Sequence, residues 1–142
     1  MANFNIAYKR TNFWEGFYSN NPNDSGGETL YGISRKKGYP FPEFWAIVDS
    51  YKKKPNFPNN MAGDQQLKTM KIGWYKKNYW DVLKGDDIKN QGIANQLYDI
   101  SVNKGWGAAI RFLGEALGVK DLRVVTNQII QQLNEIDRNY ID

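Results

Sequence analysis

Apolar residues recur at helical spacing in six stretches of this chain, and one polar, glycine-rich run from Tyr18 to Ile33 interrupts them early. Ile6, Phe13, Trp14 and Phe17 stand at offsets of 7, 8 and 11, the stripe of an N-terminal helix that runs into Glu15 and stops near Gly16. From Tyr18 to Ile33 the periodicity lapses and Asn, Pro, Asp, Ser and Gly dominate, which predicts an irregular loop with a short β-hairpin around Asp24 to Tyr31. Gly26 and Gly27 there supply backbone angles, or a close approach, that a side chain would forbid. Pro42 suits the first turn of a second helix, on which Phe44, Ile47, Val48 and Tyr51 share a face; the run from Lys52 to Pro58 ends it. Asp64 is the expected N-cap of a third helix carrying Leu67, Met70 and Trp74, continuing through Tyr79 and Trp80 with Gly73 as a candidate bend. Ile93, Leu97 and Ile100 mark a fourth helix, Ile110, Leu113 and Leu117 a fifth closed by Gly118, and Ile129, Leu133 and Ile136 a sixth. No internal repeat interrupts this order, so the fold class is mainly α with a small irregular or hairpin insertion.

A chain of 142 residues has the size of one domain. Five Trp, nine Tyr and seven Phe accompany a mean hydropathy of −0.68, a composition that folds and still leaves aromatic side chains for a groove. No long apolar run is present and the first residues lack an apolar signal region, so neither a membrane span nor a Sec-type signal is expected. The sequence has no Cys and no His. That excludes disulfides, thiolate metal sites, the usual zinc ligand and an imidazole base, and leaves acid–base work to carboxylates. A net charge of +4 favours anionic partners such as nucleic acid, lipid surfaces or cell-wall polymers, although a modest excess of Lys accounts for it equally well. The basic runs Arg35-Lys36-Lys37, Lys52-Lys53-Lys54 and Lys76-Lys77 lie near Tyr and Trp, as in single-strand nucleic-acid binders. Solvated helix faces or attraction to an anionic wall explain them more simply. No nucleotide-binding, kinase or zinc motif occurs, and Gly105-Trp-Gly107 reads as a helix junction.

Glycoside hydrolysis commonly needs one carboxylic acid to protonate the departing oxygen, and a second group to direct water or attack the anomeric carbon. Glu15 and Asp24 can fill those roles, and the hydroxyl of Thr29 can orient a water. An acid working near neutral pH must keep its proton, and the neighbours Phe13, Trp14, Phe17 and Tyr18 offer a desolvating surround at a helix C-terminus. Carboxyl groups roughly 6.5–9.5 Å apart favour inversion and about 5 Å a covalent intermediate, a choice that spacing in sequence leaves open. Spacing also admits a plainer reading, with a solvated Glu15, a turn-forming Asp24 and an ordinary strand threonine.

Longer motifs decide between these. Glu15-Gly-Phe-Tyr18, followed by Asp24-Ser-Gly-Gly-Glu-Thr29-Leu-Tyr-Gly-Ile33-Ser, resembles the signature of the glycoside hydrolase family 108 muramidases, also known as secretion activator proteins. That pattern reads Glu-Gly-Gly-Tyr, then Asp-x-Gly-Gly-x-Thr-x-x-Gly-Ile. Asn78-Tyr-Trp-Asp81 resembles the family's aromatic segment, and Ile93 to Gly105 its Asp-x-Ala-Val-Asn-x-Gly helix. Residues from about Ala108 onward resemble its peptidoglycan-binding region. The chain departs from the pattern at Phe17, in place of the second Gly, and at Gly114-Glu115, where Leu-Gln is usual. An Asp-Gly-x-x-Gly-Pro-x-Thr stretch is not recognisable in Lys120 to Thr126.

The resemblance implies a single lysozyme-like domain over 1–142 with about six helices, its active site on the small loop or hairpin and helical portions flanking a substrate groove. Residues 1–90 resemble the catalytic region and 91–142 a wall-binding region. It further implies an N-acetylmuramidase that cleaves the β-1,4 bond between N-acetylmuramic acid and N-acetylglucosamine, with Glu15 as proton donor. As in phage-type lysozymes, which share the order Glu, carboxylate, Thr, Asp24 and Thr29 would hold the attacking water or stabilise charge at the anomeric carbon. Tyr18, Gly26, Gly27, Tyr31, Tyr98 and Asn103 are the candidate substrate-binding residues, with core packing the alternative for Tyr98 and a bond to neighbouring backbone the alternative for Asn103. No cofactor or metal is required. The implied partner is the peptidoglycan glycan strand, with no nucleic acid and a monomer as the default state. The site of action is the cell wall, reached from a bacterial cytoplasm by a holin-like or other release. The alternative is an inactive peptidoglycan-binding or secretion-assisting protein.

Overall fold

The structure is a computed structural model that describes residues 1–23 and 25–136 in full and the backbone of 137–141. Its contacts divide the chain into two compact units, Trp14–Trp74 and Met1–Phe13 with Tyr75–Asp142.

In the unit Trp14–Trp74, three short antiparallel strands form a sheet in the order β1 (Tyr18–Asn20), β2 (Glu28–Leu30), β3 (Ile33–Ser34). Pairing begins at Tyr18, earlier than the expected hairpin, with Ser19 opposite Thr29 and Tyr18 opposite Leu30. Tyr31 and Gly32 then form the turn into β3 instead of ending a strand. Both have positive φ (53° and 80°), the combination a two-residue hairpin turn needs to match strand twist. Helix α2 (Pro42–Lys52) starts at Pro42 as expected and buries Phe44, Trp45 and Val48. Trp45 therefore joins a face on which Ile47 and Tyr51 are only half-buried. Helix α3 (Gln65–Tyr75) is capped by Asp64, whose Oδ1 accepts the Leu67 N–H at 2.8 Å while its Oδ2 accepts the Tyr51 hydroxyl. Phe41 stacks on both Phe44 and Trp74, with centroids 5.0 and 6.5 Å apart.

In the other unit, α1 (Phe4–Thr11) is capped by Asn3 and buries Phe4 and Ala7. The expected stripe is not its inner face: Ile6, Phe13 and Trp14 are 51%, 70% and 87% exposed. Offsets of 7, 8 and 11 require a helix that persists, but α1 stops at Thr11 and a 3₁₀ turn follows at Asn12–Trp14, breaking the 3.6-residue period. Beyond α3 the backbone widens into a π-helical turn, Lys76–Trp80, followed by 3₁₀ turns at Asp81–Leu83 and Gly85–Asp87. This brings the fully buried Trp80 edge-on to Phe4 and Tyr98, with centroids 5.6 and 6.1 Å away. Helices α4 (Gln91–Lys104), α5 (Trp106–Leu117) and α6 (Asn127–Ile141) complete the unit, and Gly118 closes α5 with φ 71°. Ala94, Leu97, Tyr98 and Ser101 form the buried face of α4, displaced by one position from the expected Ile93–Leu97–Ile100 stripe. Tyr98 is a core residue and not a groove lining, since it is fully buried and its hydroxyl donates to Asn12 Oδ1 at 2.7 Å. Among the described residues, six α-helices and a small sheet give the mainly α class expected. Among the described residues no helix is long and apolar enough to cross a membrane.

Candidate active site

Glu15 lies just past the 3₁₀ turn, in the short stretch that leads into β1, and not at the end of an α-helix. The rings expected to desolvate it, Phe13 and Trp14, point to solvent, yet its side chain is only 16% exposed. Its partner comes from fifty-six positions later: Lys71 Nζ on α3 donates to Glu15 Oε1 at 2.5 Å, itself only 12% exposed. The same ammonium sits 4.5 Å from the centroid of the Tyr31 ring. Tyr31 is buried in the left-handed turn, its N–H donating to Phe17 O at 2.7 Å and its ring tilted against Phe17 with centroids 5.5 Å apart. Phe17, where the family pattern has glycine, thus backs the ring that carries Lys71. Burial first, then the charges of Glu15 and Asp64, push the Tyr31 phenol up from its ordinary value.

On β2, Thr29 is half-buried and its Oγ1 lies 2.8 Å from Ser19 Oγ across the β1–β2 ladder. The alternation of the strand sends Glu28 and Leu30 to the opposite face. Glu28, a position the motif leaves unspecified, is nearly buried and accepts hydrogen bonds from the Tyr18 hydroxyl at 2.5 Å and Arg35 at 3.0 Å; Lys52 Nζ lies 2.5 Å away. Burial alone raises a carboxyl's affinity for its proton, but Lys52, Tyr18 and Arg35 outweigh it and hold Glu28 below its ordinary value. Arg35 also grips Asp49 through two bonds of 2.7 Å, lowering that carboxyl to about 2. Glu28 is therefore an ionised tie between the sheet and α2, a different task from that of Glu15.

The Tyr18 hydroxyl, expected at substrate, is committed to this tie. Burial, and then the bond to Glu28 and its charge, raise its value to about 12. A phenol whose folded value is raised contributes stability that is complete below the unfolded value, about 10, and lost as pH climbs through the folded one. Spectrophotometric titration of wild type against Tyr18→Phe is expected to show the missing phenolate absorbance near pH 12. A difference centred on the free-phenol value would show that the Tyr18–Glu28 bond does not form.

Gly27 has φ 64°, and a Cβ there would lie 3.0 Å from Lys36 Cδ. The Gly26 carbonyl accepts the Ser34 hydroxyl at 2.8 Å. Gly26 therefore ties the β1–β2 connection to β3, and Gly27 leaves room there for the Lys36 side chain. Asp24 lies outside the described residues. Asn103, near the end of α4 in the other unit, is exposed and donates to the Asp99 carbonyl at 2.9 Å.

A mainly α, lysozyme-like fold with an enclosed glutamate ahead of a three-stranded sheet is a form that glycoside hydrolases use. The sequence model of glycosyl hydrolase 108 matches residues 8–105, and the chain belongs to that family. Glu15, Ser19, Thr29, Tyr31 and Lys71 all fall within the match. Among solved structures, SagA of Brucella abortus shares the fold with a TM-score of 0.59, covering 93% of this chain and 68% of that chain at 23% identity. Comparison with curated proteins finds no match.

Proposed function

We propose that the protein is an N-acetylmuramidase that cleaves the β-1,4 bond after N-acetylmuramic acid in peptidoglycan, with Glu15 as general acid. The observation that carries this reading is the enclosed Glu15 side chain on Lys71, in a chain that belongs to a glycoside hydrolase family. Glu15 gives its proton to the glycosidic oxygen as the bond to the anomeric carbon breaks. The paired hydroxyls of Thr29 and Ser19 then suit a water directed at that carbon. Asp24, five positions before Thr29 in the sequence, is the second carboxylate in this reading. The test is incubation of purified protein with peptidoglycan, with new reducing ends counted and the products analysed by mass spectrometry. Muropeptides with reducing N-acetylmuramic acid are expected. Reducing N-acetylglucosamine ends would assign the other glycosidic bond, and binding without release would leave a wall-binding or secretion-assisting protein.

A further inference from the structure

Lys71 is unlike the chain's surface lysines, because its side chain, charge included, is only 12% exposed. Such a charge is costly unless it is paired, and two groups from separate segments meet it. Glu15 Oε1 takes it at 2.5 Å, and the ring face of Tyr31, whose quadrupole attracts cations, lies 4.5 Å away. Tyr31 is itself fixed by its turn, by the Phe17 carbonyl and by the Phe17 ring. The position of Nζ is thus set by α3, by the β2–β3 turn and by the stretch after Glu15. A terminal carboxylate torsion is soft, so a fixed ammonium on one oxygen restrains how the group is presented.

We infer that Lys71 is a positioning residue for the acid step, holding the Glu15 carboxyl group in orientation and stabilising the negative charge that develops on it. The inference rests on the reading of Glu15 as general acid. In that step the proton leaves a Glu15 oxygen for the glycosidic oxygen, the C–O bond breaks with its electron pair going to that oxygen, and Glu15 is left as a carboxylate. A preplaced ammonium meets the new charge with no reorganisation, the condition under which a fixed group accelerates a reaction. Natural glycans, whose leaving alkoxide must be protonated, depend on this. Aryl glycosides, whose phenolate departs without a proton, do not.

The test compares peptidoglycan with an aryl β-glycoside of the same sugars in wild type, Lys71→Met, Lys71→Gln and Lys71→Arg, each checked by its melting curve. Met and Gln are expected to lower turnover of peptidoglycan by about 10–10³-fold and that of the aryl glycoside by less than about threefold; Arg, which keeps the charge in a different shape, is expected to fall between. Equal losses on both substrates would make Lys71 a structural residue, and full activity of Met and Gln on peptidoglycan would remove it from the reaction. A wild type that releases nothing overturns the muramidase reading and this one together. An active wild type with an equally active Glu15→Gln overturns the acid assignment, and with it the role of Lys71.

Discussion

Replacing Glu15 with Gln is expected to lower muropeptide release by about 10²–10⁴-fold, the usual contribution of a general acid, with some fall in melting temperature because Lys71 loses its counter-charge. The amide has the size of the carboxyl group, and its Oε1 can still accept the Lys71 bond that Glu15 makes at 2.5 Å. What is lost is the ionisable group, and with it both the proton the acid form transfers and the counter-charge the carboxylate form gives Lys71. A melting curve that shows the variant fully folded at the assay temperature is thus the control that assigns the loss to chemistry. An active Glu15→Gln would sink the assignment, because no rearrangement of an amide supplies the missing proton. On an aryl glycoside the same variant is expected to keep most of its rate, since the leaving group no longer needs protonation.

Two glutamates of the motif region illustrate how surroundings divide labour between identical side chains. Glu28 meets a phenol, a guanidinium and an ammonium, which together hold it as an anion against its burial. Glu15 meets the Lys71 ammonium beside an aromatic turn. A carboxyl group tied to two cations and a phenol is kept ionised, which suits it to anchoring the sheet and not to donating a proton. The spacing of charged residues in the chain does not reveal this difference.

Most helices were legible because their signals are local. Pro42 at a first turn, Asp64 before Leu67 and Gly118 after Leu117 mark ends that the backbone chemistry of a few neighbouring residues decides. The first stripe misled because Phe13 and Trp14 fall in a 3₁₀ turn, where helical offsets no longer name a face. Tyr98 reads equally well as groove or core until Asn12, on the far side of the sequence, appears as the partner of its hydroxyl. Lys71 carried no signal, since a lysine on a helix is ordinarily solvated and its carboxylate lies fifty-six positions away. Ser19 likewise becomes visible only once the register sets it opposite Thr29.

Gly85→Ala is expected to cost at least the 1–3 kcal/mol typical of overpacking, and so to lower the melting temperature by roughly 5–10 °C. A Cβ at Gly85 would lie 2.2, 2.4 and 2.7 Å from Cε2, Cδ2 and Cζ2 of the Trp80 indole, distances that packed carbon atoms do not adopt. The indole has no easy retreat: it is fully buried, its Nε1 donates to Asp86 at 2.9 Å, and Phe4 and Tyr98 stand against its edges. Either the ring leaves its place and breaks the bond to Asp86, or the 3₁₀ turn at Gly85–Asp87 shifts. Gly63→Ala is the control, because a Cβ there meets nothing within 4 Å, and its melting point is expected to match wild type. Thermal unfolding of the two variants decides the matter, with the double variant Gly85→Ala/Trp80→Phe as a cycle. The smaller ring should remove part of the clash, so the alanine should cost less in the Phe background than in wild type. Equal costs in both backgrounds would mean that the glycine is required by the backbone of the turn and not by the indole.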